Sequence, residues 1–360
     1  MIPSMYVSSS FFSRVFFCST NSLRRCSFRS SISSMSLSFS FVVMRFFFKA
    51  YTSLRYVHHR EVCETTYLRI PKGHEDIDFV DITTDADTEL FIDPCLIERG
   101  RDPLSREAAE IIADFADQMY ADMRTSRWNN SSVFDEAHEV NETKLGYGNG
   151  HNGKGKTTEG MRDSLKDLCD LATKIPTISC VQDIPVFVQD FAEDCMSDLL
   201  TNILRRILTQ FTADQMQRYG IEPDGYHEIR SWDREKHDWA WSQEPFWRVG
   251  SRKILLVPKG WVRKHFLFKT HQYLSLVILE RMRDDPRYRD LSKRIMLQSL
   301  EREIPHWEYE EVTRYTLAHP DALSEYHRRL PLHYNKAYGC MNDEALDKAV
   351  YVRRSRRNAG

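Results

Sequence analysis

The chain has 360 residues, of which 41% are apolar and 28% charged, and its formal net charge is −2. That length suits one large domain or two ordinary ones with a real core, and so many charges exclude a protein built of membrane spans. The charge is uneven. Of the 50 Lys and Arg, eight lie in residues 1–60, which hold no Asp or Glu; the other 42 stand against 52 acids in residues 61–360, a net of −10. An acidic body does not draw nucleic acid over its whole surface, so such binding requires a local basic patch.

Residues 1–60 are rich in Ser, Phe and Arg, the composition of an organelle transit peptide. Their most apolar stretch, residues 37–48, is too short for a bilayer span and is interrupted by Arg45. A true start further in, near Met44, accounts for the same composition. The first alternative places the protein in an organelle of mitochondrial type, the second in the cytoplasm. Either way the segment is expected to be disordered, leaving one globular domain over 61–350 and a basic tail over 351–360. The eight cysteines show no CxxC pair and no His/Cys metal spacing, and read as reduced, buried thiols.

In chain order, short strands are expected at 67–70, 78–82 and 88–92, the last two as a hairpin turning at Asp85-Ala86-Asp87. Asp102 followed by Pro103 starts a helix that runs to about Met123. A polar loop at 127–132 and a glycine-rich loop at 146–155 precede a helix over 158–173, ended by Ile175-Pro176. Residues 177–181 and 186–188 are β-branched and apolar and read as buried strand. A central helix follows to about Phe211. Residues 219–250 read as a tryptophan-rich loop and 253–258 as a strand. Helices are then expected near 266–283, 288–300, 308–318, 322–329 and 343–350. The fold class implied is α+β, mostly helical, with a small mixed sheet packed against several helices.

The stretch 186–210, VFVQDFAEDCMSDLLTNILRRILTQ, carries the strongest functional signal. At helical spacing Phe191, Cys195, Leu199, Ile203 and Ile207 fall on one face, and Asp190, Asp194, Ser197, Asp198 and Thr201 on the other. Asp190, Asp194 and Asp198 could converge on Mg²⁺ or Mn²⁺, which takes carboxylate oxygens from a rigid element. A plainer account exists for part of the set: Asp190 as a helix cap with Glu193 completing a capping box, and Asp194 suiting the helix dipole. Asp198, in the third turn, is the acid this account explains least.

Gly150-His-Asn-Gly-Lys154-Gly155-Lys156-Thr157 matches GxxxxGK[ST]. Backbone amides of such a loop cradle phosphates, Lys156 neutralises their charge and Thr157 could hold Mg²⁺. The motif resembles that of P-loop NTPases, a resemblance that would make Asp190 the acidic Walker B residue and would imply a parallel sheet alternating with helices.

Residues 230–269 interleave aromatics with cations, and four of the seven tryptophans fall within sixteen residues. Rings beside cations hold single strands and flipped bases, and Lys259-Gly-Trp261-Val-Arg263-Lys264 is expected to be the most exposed and basic part. Asp135, Glu142 and Lys144 loosely resemble the D…ExK set of restriction-endonuclease-like nucleases. His227, His237 and His271 have no partner spacing that suggests zinc.

Together these features point to a metal-dependent phosphodiesterase or nuclease acting on nucleic acid or nucleotide phosphate. Asp190, Asp194 and Asp198 would hold the metal, and Lys154, Lys156, Lys259, Arg263 and Lys264 the phosphates. A P-loop NTPase and a non-catalytic binding or scaffold module are the two alternatives.

Overall fold

Two apolar runs, residues 79–82 and 90–92, organise the protein. Every apolar side chain in them is at most 2% exposed. A computed structural model describes residues 68, 70, 73–82, 87–125, 127–136, 138, 140–147, 158–189, 191, 193–301, 304–337 and 339–352. Runs buried on both faces cannot pair with each other as an exposed hairpin would, because each face needs cover. The expected hairpin is accordingly replaced by pairings with a distant segment. Phe79 bridges Pro258 and the Val80 amide donates to Val257 O. β1 (Phe91–Ile92) pairs antiparallel with β5 (Val262–Arg263).

Asp93 ends β1 and caps α1 (Pro94–Arg99), its side chain accepting from the Cys95 amide at 2.8 Å. Asp102 caps α2 (Pro103–Met123) as expected, accepting from the Ser105 amide at 2.9 Å with Pro in the first turn. The buried stripe of α2 holds Ile112, Phe115, Met119 and Met123. α3 (Thr158–Ser164) and α4 (Lys166–Lys174) divide the helix expected over 158–173. Neither strand expected next is formed: residues 177–180 are irregular, and a 3-10 turn at Val181–Asp183 leads into α5 (Ile184–Phe187). Asp183 Oδ2 accepts from the Ser179 and Cys180 amides and Pro185 stands in the first turn of α5, so capping chemistry overrides the β-branched composition.

α6 (Glu193–Ile203) and α7 (Arg205–Arg218) form the central helix, broken at Leu204. Its expected polar face is not solvated. Ser197 is 3% and Thr201 1% exposed, and Ser197 Oγ accepts from the Ile92 amide at 3.2 Å. Asn202 donates to His138 O, and Asp198 accepts from the Val140 amide at 3.5 Å. The polar side chains of α6 therefore satisfy the irregular backbone around it, which a buried loop requires.

The segment expected as a loop over 219–250 contains a long hairpin, β2 (Gly225–Asp233) with β3 (Asp238–Val249), and β4 (Arg252–Ile254) adds to its edge. Trp232, Trp239 and Trp247 are buried in it, while Trp241 is 66% exposed. Trp232 Nε1 donates to Asp114 and Trp239 Nε1 to Val133 O, and the two rings meet edge to face at 5.6 Å beside Phe115. Both sheets are antiparallel, and the fold is a mostly helical α+β.

The last part is helical. α8 (Thr270–Tyr273) passes through a π-helical stretch, Leu274–Ile278, into α9 (Leu279–Met282). Then come α10 (Lys293–Leu300), α11 (Trp307–Ala318), α12 (Asp321–Ala337) and α13 (Asp343–Asp347). Among the described residues no helix is long and apolar enough to cross a membrane.

Candidate functional site at the foot of the glycine-rich segment

α6 begins at Glu193, whose side chain is 6% exposed. Its carboxylate accepts hydrogen bonds from Tyr147 Oη at 2.9 Å and from the Lys269 ammonium, and His265 Nδ1 stands 3.8 Å away. Burial opposes ionisation of Glu193. The Lys269 hydrogen bond, the helix N-terminal amide and the Lys269 charge outweigh it, so its pKa lies below the ordinary value. Burial, then the bond to Glu193, pushes the Tyr147 hydroxyl up.

Tyr147 is the last described residue before the glycine-rich segment. Its neighbour Gly146 has φ +148°, and a Cβ built there would lie 2.7 Å from Asp194 Oδ1. Only glycine fits so close to that carboxylate. Lys144 is also left-handed, at φ 51°. The Thr88 amide donates to Lys144 O and the Gly146 amide to Thr88 O, both at 2.9 Å, which fixes this strained stem. The foot of the segment is thus hydrogen-bonded to the first residue of α6 through Tyr147, with Gly146 packed close to Asp194.

Of the expected metal ligands, Asp194 is half-buried beside Gly146 and Asp198 is half-buried with the Val140 amide. Asp190 lies outside the described residues, as do Gly150, Lys154, Gly155, Lys156 and Thr157. The Glu193 side chain reaches Tyr147 and Lys269, and the expected capping box falls on Asp190, outside the described residues. The parallel framework of a P-loop NTPase is not found among the described residues, where both sheets are antiparallel and one parallel bridge, Thr88 to Leu145, precedes the segment.

The expectation that residues 259–264 are exposed is corrected. Trp261 is 2% exposed and donates to Ser105 Oγ at 2.8 Å. Arg263, 9% exposed, lies 3.7 Å from Asp93 and over the Tyr334 ring. Lys259 pairs with Asp343 at 2.8 Å, and Lys264 is half-buried. The physical reason is β5: pairing with the buried β1 carries the whole run inward. The endonuclease-like set is also divided. Glu142 is held by Arg205 and Lys144 by Asp87 at 3.1 Å, while Asp135 sits in an exposed turn.

Two groups of polar residues were not visible in the sequence. Lys269 and His265 sit more than seventy residues from Glu193, with no spacing rule to join them. The second group surrounds Asp93, which is fully buried. Burial raises its pKa to about 7, against the Tyr334 hydrogen bond at 2.7 Å and the charge of Arg263. No spacing in the sequence joins Asp93 to Tyr334 or Arg263.

Comparison with family models matches residues 69–269 to the family described as Domain of unknown function (DUF8370). No curated protein and no solved structure matches the chain. The matched span contains Tyr147, Glu193, Asp194 and Lys269.

Proposed function

The chain belongs to the DUF8370 family, and from the site inside the matched span we propose that it is a metal-dependent hydrolase of phosphate esters, with nucleic acid as the substrate class. The observation that carries the reading is the hydrogen bond from Tyr147 to Glu193 at the start of α6, with Gly146 lying close to Asp194. The Gly/Lys-rich stretch holding Lys154 and Lys156 continues in sequence from Tyr147. Asp194, with Asp190 one turn earlier in sequence, offers hard carboxylate oxygens that fit Mg²⁺ or Mn²⁺. Such an ion, when bound, polarises a phosphoryl oxygen and lowers the pKa of a bound water.

The chain's own groups have separable roles in this reading. Lys269, 41% exposed at its side chain, is tethered by Glu193 and presents a cation at the foot of the segment. His265, 75% exposed, adds a second donor there. Asp198, bound to the Val140 amide, holds the stem against α6 and acts as a positioning residue. Trp261 and Arg263, both buried, have no part in substrate contact.

The test is hydrolysis of single-stranded nucleic acid and of a simple phosphodiester with Mg²⁺ or Mn²⁺. Wild-type protein should cleave, and Asp194→Asn should lose on the order of 100-fold or more while keeping its far-ultraviolet circular dichroism. Lys269→Met should raise KM more than it lowers kcat. Equal rates for wild type and Asp194→Asn contradict the proposal. Absence of any metal or phosphate binding favours the non-catalytic alternative.

A further inference from the structure

Apart from that site, three side chains able to ligate a metal meet where α12 packs on the turn at residues 180–183. Cys180 Sγ lies 3.6 Å from His327 Nε2, and His327 Nε2 lies 2.7 Å from Asp183 Oδ1. All three donor atoms fall within 4.8 Å of one another. Asp183 is fully buried, and its Oδ2 is occupied by the Ser179 and Cys180 amides, which leaves Oδ1 turned to His327. The His327 side chain is 27% exposed, so the cluster has a route to solvent.

The His327–Asp183 contact alone could be an ion pair that fastens α12 to the turn. It does not account for a thiol set against the same ring nitrogen. A second observation points the same way. Within the same turn a buried polar atom, Gln182 Oε1, has no hydrogen-bond partner. Buried polar groups without partners call for a water or an ion.

We propose that Cys180, Asp183 and His327 bind a zinc-type ion. Thiolate, imidazole and carboxylate together suit Zn²⁺, whereas Mg²⁺ and Mn²⁺ prefer oxygen donors alone. A tetrahedral ion at ~2.3 Å from sulfur and ~2.0 Å from nitrogen holds those atoms ~3.6 Å apart, the separation observed here. The nitrogen–oxygen pair would widen by about 0.6 Å to reach ligand spacing. Three protein ligands leave a fourth position for water. Binding gives the Cys180 thiol proton to solvent. Cys180 and Asp183 lie inside the family match and His327 outside it, so the ion would join the matched domain to the C-terminal helices.

The experiment uses the full chain, stripped with a chelator and refilled with Co²⁺. At one equivalent the wild type should show a thiolate-to-cobalt charge-transfer band in the near ultraviolet. Cys180→Ser should abolish the band, His327→Ala should weaken metal binding at least ~10-fold, and Asp194→Asn should leave the band intact. The last variant separates this site from the one on α6. A wild-type spectrum without a thiolate band overturns the proposal, and so does a band that survives Cys180→Ser. The wild-type spectrum decides even if a variant fails to fold.

Discussion

At the level of single residues, the clearest constraint is Gly146. Its φ of +148° strains any side chain, and a Cβ there would stand 2.7 Å from Asp194 Oδ1, so the Asp194 carboxylate would have to move. Gly146→Ala should displace the stem and lower phosphodiesterase activity at least ~10-fold, with a melting temperature only a few degrees lower. An unchanged rate would mean that the stem has no link to the site. Asp93 makes a second prediction. Its folded pKa of about 7 stands above its ordinary 3.8, so the stability it contributes is complete below about pH 4 and is lost as pH rises through 7. Wild type should therefore lose stability relative to Asp93→Asn between pH 5 and 8, because Asn keeps the cap and cannot ionise. Parallel pH profiles for the two proteins would show that Asp93 is ionised throughout. Neither constraint was legible in advance. Gly146 was one of several glycines in a run, and Asp93 was a turn residue without visible partners.

At the level of elements, local chemistry was legible and long-range pairing was not. Asp102-Pro103 announced α2, because a cap and a proline act over four residues. Replacing Asp102 by Ala should cost about 1 kcal/mol in denaturant unfolding, and a shift below 0.2 kcal/mol would show the cap to be idle. The β2–β3 hairpin escaped notice because its tryptophans suggested a binding surface. In the fold Trp232 and Trp239 meet Phe115 of α2 edge to face. Trp232→Ala should cost about 3–5 kcal/mol; a near-neutral result would contradict the core role. Residues 186–188 looked like strand because Val and Phe favour it, yet Pro185 in the first turn and the 3-10 turn closed by Asp183 just before it favour helix over 184–187. The α6 face was read correctly as polar, but periodicity cannot distinguish acids that face solvent from side chains that satisfy buried backbone, as Ser197 and Asn202 do.

For the whole molecule, the family match ends at residue 269, but the packing does not. Tyr334 of α12 donates to Asp93, Arg99 of α1 donates to Pro331 O, and Tyr351 donates to Asp81. His74 bonds Asp347 at 2.6 Å. These contacts cross more than two hundred residues of sequence, a separation that no motif spans. The acidic body over 61–360 and the mostly helical α+β class were legible, since both follow from composition and period. The inward turn of residues 259–264 was not, because a run of Lys, Trp and Arg reads as surface until β5 is seen to pair with β1.

The central claim is that the start of α6 and the foot of the glycine-rich segment form one phosphate-ester-cleaving site. The most direct measurement is the initial rate of single-stranded nucleic acid cleavage in Mn²⁺ by wild type and Asp194→Asn at equal folded concentration. The account predicts metal-dependent cleavage by the wild type and a loss on the order of 100-fold in the variant. Matching rates in the two proteins, or wild-type cleavage that persists in chelator, would contradict it.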